Sequence, residues 1–102
     1  MIKAIEILIN NGPINKYNAI ISYDNKACYL NDKKYDVDDD FLNKIKEIML
    51  YWEKEYGTSN IIDAEEFTIN IYTDAGTDTY HGKGVYPSNY GLLKEVLGDL
   101  NG

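Results

Sequence analysis

The spacing of apolar residues along this chain switches from every second position to every third or fourth, then back again, and that switch limits the fold more than any other feature. Between Ile2 and Ile9, the isoleucines Ile5, Ile7 and Ile9 alternate with polar or opposite-facing residues. A β-branched run of period two predicts a half-buried strand. It ends at Asn10-Asn11-Gly12-Pro13, which predicts a turn. Tyr17 to Tyr23 repeats the alternation, with Tyr17, Ala19, Ile21 and Tyr23 on one face, and Asp24-Asn25-Lys26 predicts a tight hairpin onto Ala27 to Leu30. The first third therefore reads as a three-stranded meander. Asn31-Asp32-Lys33-Lys34 predicts another turn, and Tyr35 to Val37 a short extended piece.

From Asp39 to Tyr56 the period becomes that of a helix. Phe41, Leu42, Ile45, Ile48, Met49, Trp52 and Tyr56 fall on one stripe about 100° wide, which predicts the main helix. Asp36, Asp38, Asp39 and Asp40 stand at its start, where a carboxylate caps free N–H groups and interacts favourably with the helix dipole, and Gly57 is the expected stop. Alternation returns from Glu66 to Tyr72, with Phe67, Ile69 and Ile71 on one face. A turn at Thr73 to Thr77 around Gly76 leads into an antiparallel return over Asp78 to Lys83. After Pro87, with Ser88 or Asn89 as cap, Leu92, Leu93, Val96, Leu97 and Leu100 supply the apolar face of a short last helix. The expected order is βββαββα. It corresponds to an α+β fold with a mostly antiparallel sheet of about five strands, one long helix and one short one, in a single domain over residues 1–102.

Composition narrows what such a domain can do. The formal charge of −7 is uneven, because residues 36 to 66 carry ten acids against three lysines. There is no arginine in the chain. A nucleic-acid binder needs clustered cations, preferably including arginine for bidentate phosphate contacts, so direct nucleic-acid binding is disfavoured. No apolar run approaches the ~20 residues that span a bilayer, and the Ile2 to Ile9 run is broken by Lys3 and Glu6, so neither a membrane anchor nor a signal peptide is expected. A lone cysteine, Cys28, cannot form an internal disulfide, which points to a cytoplasmic setting. The abundance of isoleucine, asparagine, lysine and tyrosine, all encoded by AT-rich codons, points to an AT-rich bacterial or phage genome.

Each residue group that invites a chemical role also has a plainer reading. His81 is the only histidine and the first candidate for acid–base work. A nucleophile needs a base, however, and the base an orienting group, and Tyr80-His81-Gly82 shows neither; a structural role is preferred. Cys28 lies in an alternating apolar strand, where a free thiol behaves as a small buried hydrophobe. One cysteine and one histidine do not make a zinc site. Asp36-Val37-Asp38-Asp39-Asp40 lacks the spaced ligands, central glycine and final glutamate of a calcium loop, so no metal is expected. Gly82-Lys83-Gly84-Val85-Tyr86-Pro87 lacks the third glycine of a dinucleotide site and a Gly-Lys-Ser/Thr ending, and predicts a bulge or bend. The expected catalytic set and the expected cofactor are both none.

What remains is acid combined with tyrosine. Ten tyrosines offer broad, fairly rigid contact surfaces with polar tips. On the main helix Leu50 and Tyr51 fall off the apolar stripe, at roughly 180° and 280° from Phe41. A negative face is suited to a basic groove, and such grooves belong to nucleic-acid enzymes. In size, acidity, tyrosine content and lack of a catalytic constellation the chain resembles the DNA-mimicking inhibitors, among them phage-encoded anti-CRISPR proteins that block Cas nucleases. The resemblance is one of composition and carries no functional residue across. It implies a non-enzymatic inhibitor that binds a basic protein partner. The expected surface is Asp36, Asp38, Asp39, Asp40, Glu47, Tyr51, Glu55, Asp63, Glu65 and Glu66. The alternatives are a toxin-neutralising immunity protein, an assembly subunit of a phage or mobile element binding through sheet edges or tyrosines, and a small enzyme or ligand-binding protein centred on His81, Tyr80 and Lys83. The last requires a concave pocket around His81 with a carboxylate in reach.

Overall fold

A computed structural model describes residues 1–11, 15–58 and 64–100. In chain order the elements are β1 (Ile2–Asn11), β2 (Asn15–Ser22), β3 (Ala27–Leu30), β4 (Lys33–Asp36), α1 (Asp39–Ile48), β5 (Glu55–Thr58), β6 (Glu66–Thr73), β7 (Gly76–Lys83) and α2 (Tyr90–Gly98). The fold is α+β, and its seven strands form one sheet in the order β4-β3-β2-β1-β6-β7-β5. The five expected strands are all present. The sheet differs from the expectation by two short edge strands and by one parallel pairing, β5 with β7, which makes it mixed.

Alternation decides which side of the sheet is covered. Ile5 lies opposite Ile21 and Ile71, Ile7 opposite Ala19 and Ile69, and Ile9 opposite Tyr17 and Phe67, so these side chains share one face. Cys28 and Leu30 extend that face along β3. They form one buried cluster with Leu42, Ile45, Ile48, Met49 and Trp52 from α1 and its exit, and Tyr90, Leu93, Val96 and Leu97 from α2. Both helices therefore cover the same side. The opposite face carries Glu6, Asn18, Ile20, Tyr29, Thr68, Asn70, Tyr72, Thr79 and His81, in keeping with an antiparallel sheet that buries one side only.

The turns follow from residues that tolerate a positive φ. Asn31 and Asp32, with φ of 48° and 71°, close the two-residue β3–β4 hairpin, narrower than the four-residue turn expected there. The expected turn at Gly12-Pro13 lies outside the described residues.

The main helix stops at Ile48, short of the expected Tyr56. In a continuing helix the Trp52 N–H would bond the Ile48 carbonyl. Instead the Asn89 side-chain amide donates to that carbonyl (2.7 Å), and Trp52 N–H turns to the Met49 carbonyl (3.2 Å). Trp52 nevertheless reaches the core, so an apolar spacing that reads as two more turns of helix is met by a turn followed by β5. Gly57, expected as the helix stop, sits within β5 at φ 87°.

Candidate functional site

The expected acidic surface divides into three places. The first is a corner built from the β2–β3 turn and the β4–α1 junction. Val37 N–H donates to the Lys26 carbonyl (3.0 Å), which brings the two segments together. Asp24 from the turn, a residue outside the expected set, thereby lies near the start of α1, where it lines one cavity with Asp39, Tyr23, Leu42 and Lys46; Asp38 and Asp40 flank Asp39 in the chain, and Asp36 ends β4 with its side chain on the open face of the sheet. Asp38 caps the helix, its Oδ1 accepting from Phe41 N–H at 2.9 Å, and Asp39 pairs with Lys26 at 3.2 Å. Among the described residues no hydrogen bond or ion pair engages the carboxylates of Asp24, Asp36 or Asp40.

The second place is the far end of α1. Glu47 is exposed, and beyond it Leu50 and Tyr51 stand 60% and 89% exposed. Glu47 and Tyr51 line a cavity of about 310 Å³ with Trp52, Tyr56, Tyr86 and Asn89. The aromatic character of this groove was not legible in the sequence, because Tyr86 joins Tyr51, Trp52 and Tyr56 from thirty or more positions away.

The third place is the β5 edge. β4 and β5 end opposite sides of the sheet, so Asp36 and Glu55 are separated by six strand spacings, roughly 29 Å at about 4.8 Å each. The expected residues thus do not form one continuous face. Those near β5 are also occupied internally. Glu65 accepts from Tyr90 Oη (2.6 Å) and from Lys94 Nζ (3.0 and 3.1 Å), and its backbone carbonyl accepts from Tyr86 Oη (2.6 Å). Burial, and then the neighbouring Glu65 carboxylate, push the Tyr90 hydroxyl far above the ordinary tyrosine range. Glu55 Oε1 lies 3.1 Å from His81 Nδ1, and Glu66 Oε2 lies 2.7 Å from His81 Nε2. Hydrogen bonding to Glu66, then to Glu55, raises the His81 pKa above its ordinary value. Asp63 lies outside the described residues.

The strand alternation also separates the residues of the His81 reading. Tyr80 lies opposite Ile69 on the helix-covered face, whereas His81 and Lys83 lie opposite Thr68 and Glu66 on the open face. His81 has two carboxylates in reach; Glu66 follows from the expected β6–β7 hairpin, whereas Glu55 comes from the parallel edge strand β5, which spacing did not reveal. Cys28 is fully buried, and its thiol pKa is pushed up to about 11 by desolvation. Among the described residues no group of three histidine, cysteine or acidic side chains is arranged to hold a metal ion, and no helix is long and apolar enough to cross a membrane. No protein-family model, curated protein or solved structure matches the chain.

Proposed function

We propose that this protein is a non-enzymatic binding protein whose acidic corner docks on a basic protein surface, acting as an inhibitor of a nucleic-acid enzyme such as a Cas nuclease. The observation that carries the reading is the run of exposed carboxylates at the start of α1, Asp38, Asp39 and Asp40, with Asp24 sharing a cavity with Asp39, Asp36 ending β4 two residues before the cap, and Lys26 the cation paired there. Asp38 and Asp39 are accounted for by capping, the helix dipole and the Lys26 pair. Asp40 shares the favourable dipole position of the first turn but makes no hydrogen bond or ion pair, and Asp24 and Asp36 have no such structural use among the described residues. Exposed carboxylates held in a cluster attract a cationic partner and speed its encounter, an effect that salt screens. Binding to purified Cas nucleases, free and loaded with guide, tests the proposal. Association that weakens with salt, is displaced by competing DNA and is lost in an Asp36→Asn/Asp40→Asn variant supports it. Equal binding by that folded variant contradicts it.

A second reading has its own support. Leu50 and Tyr51, so strongly exposed beside an aromatic groove, suit a partner that binds through apolar contact, as an assembly subunit would. Association that persists at high salt and is lost in Leu50→Ser/Tyr51→Ser favours this reading over the first.

A further inference from the structure

Little holds β5 to the sheet. It is a four-residue edge strand that pairs with β7 alone, in parallel, through Glu55 opposite His81 and Thr58 opposite Lys83, with an irregularity between them. At its approach, His81 N–H donates to the Lys54 carbonyl at 2.9 Å. The Tyr56 ring rests against Phe67 with centroids 6.1 Å apart. The side-chain tie across the open face is the run Glu55, His81, Glu66, which joins β5, β7 and β6.

That run is complete in one protonation state only. Ionised carboxylates accept hydrogen bonds and cannot donate them, a neutral imidazole has a single N–H, and the imidazolium has two. With Nδ1 at Glu55 and Nε2 at Glu66, both are hydrogen bonds only when His81 is charged. After the proton leaves, one ring nitrogen turns a lone pair toward a carboxylate. The Glu66 distance is shorter, and Glu66 is less exposed than Glu55 (40% against 67%), so the remaining N–H stays on Nε2 with Glu66. The hydrogen bond that breaks is therefore the one to Glu55, on β5.

We infer that Glu55, His81 and Glu66 form a proton-operated latch on β5, closed while His81 is charged and loosened when it is neutral. The groups facing His81 leave it in an anionic setting. From β5 this is Glu55; the preceding Lys54 turns instead to Asp78, with its Nζ 3.0 Å from that carboxylate, and Asp78 lies opposite Ile71 on the covered face. From β6 they are Glu66 and Thr68, and along β7 Thr79 and Lys83. Because the closed state raises the His81 pKa, the stabilisation of β5 is full below the ordinary histidine value of about 6.5 and is lost as pH rises through the raised value. Tyr56 of β5 lines the aromatic groove, so loosening β5 also alters that groove.

His81 is the only histidine, so its ring resonance reports the latch without ambiguity. NMR titration of that resonance, alongside amide exchange of the His81 N–H corrected for intrinsic rate, tests the inference, with the central β1 and β6 amides as reference. Protection at position 81 is expected to fall through the same midpoint as the ring. The size of the fall should equal the ratio of the imidazole proton affinities in the closed and opened states. Glu55→Gln and His81→Asn should flatten this step while the central amides keep their protection. A flat profile in the unaltered protein, or a step that survives in either variant, overturns the inference. Should His81→Asn also lose central protection, the more exposed Glu55→Gln variant decides alone.

Discussion

At the residue scale, Asn89 holds the two helices in register. Its Oδ1 accepts from Trp52 Nε1 while its Nδ2 donates to the Ile48 carbonyl. Sequence pattern marked Asn89 as a cap for α2, yet its side chain makes no capping bond there; partners 37 and 41 positions away leave no trace in local spacing. Asn89→Ala should lower stability by about 1–3 kcal/mol, read from the urea midpoint, because it leaves the Trp52 donor and the Ile48 acceptor unpaired. Gly82 is constrained in another way. A Cβ built on it would meet Phe67 Cε1 and the Val85 carbonyl oxygen, each at 2.6 Å. Gly82→Ala should therefore cost about 1–3 kcal/mol through overpacking, on the same assay. The glycine run around Gly82 stood out in the sequence as a bend; its close approach to an aromatic ring did not. Tyr17 presents the opposite case, since its buried hydroxyl has no hydrogen-bond partner among the described residues. Tyr17→Phe should leave the urea midpoint unchanged or raise it, because no hydrogen bond is broken and a polar group leaves the interior.

At the scale of elements, strongly periodic segments were legible and short edge strands were not. β1, β2, β6 and both helix faces follow directly from alternation or from 3.6-residue spacing, because each turns one side to the core. β4 reads Lys33-Lys34-Tyr35-Asp36 and β5 reads Glu55-Tyr56-Gly57-Thr58; each pairs on one edge and offers little apolar alternation. The extended piece expected at Tyr35 to Val37 covers only part of β4. Helix α1 shows both outcomes, since its start was legible through Asp38 and its end was not, because the core takes Trp52 from a turn as readily as from a helix. Asp38→Ala should cost about 1 kcal/mol through loss of the cap, again read from the urea midpoint. Testing binding with Asp36 and Asp40 variants, neither of which caps the helix, keeps that stability effect apart from any effect on docking.

At the scale of the whole molecule, the acid concentrated in the middle of the sequence becomes three separate surfaces, since the sheet carries β4 and β5 to opposite edges. Charge counted along a chain does not reveal this, because β1 and β6 stand between segments that are close in sequence. Glu55 and Glu66 hold His81, and Glu65 holds Tyr90 and Lys94, which leaves the corner at the start of α1 as the place where carboxylates outnumber their internal partners. The proposed docking function rests on that corner. The most direct measurement is the affinity of the intact protein and of Asp36→Asn/Asp40→Asn for a panel of purified Cas nucleases at low and high salt, with folding of the variant verified by its urea midpoint. Docking through the corner should give binding by the intact protein that weakens with salt, and a clear loss of affinity at low salt in the variant. Binding that is equally tight in both proteins and insensitive to salt overturns it.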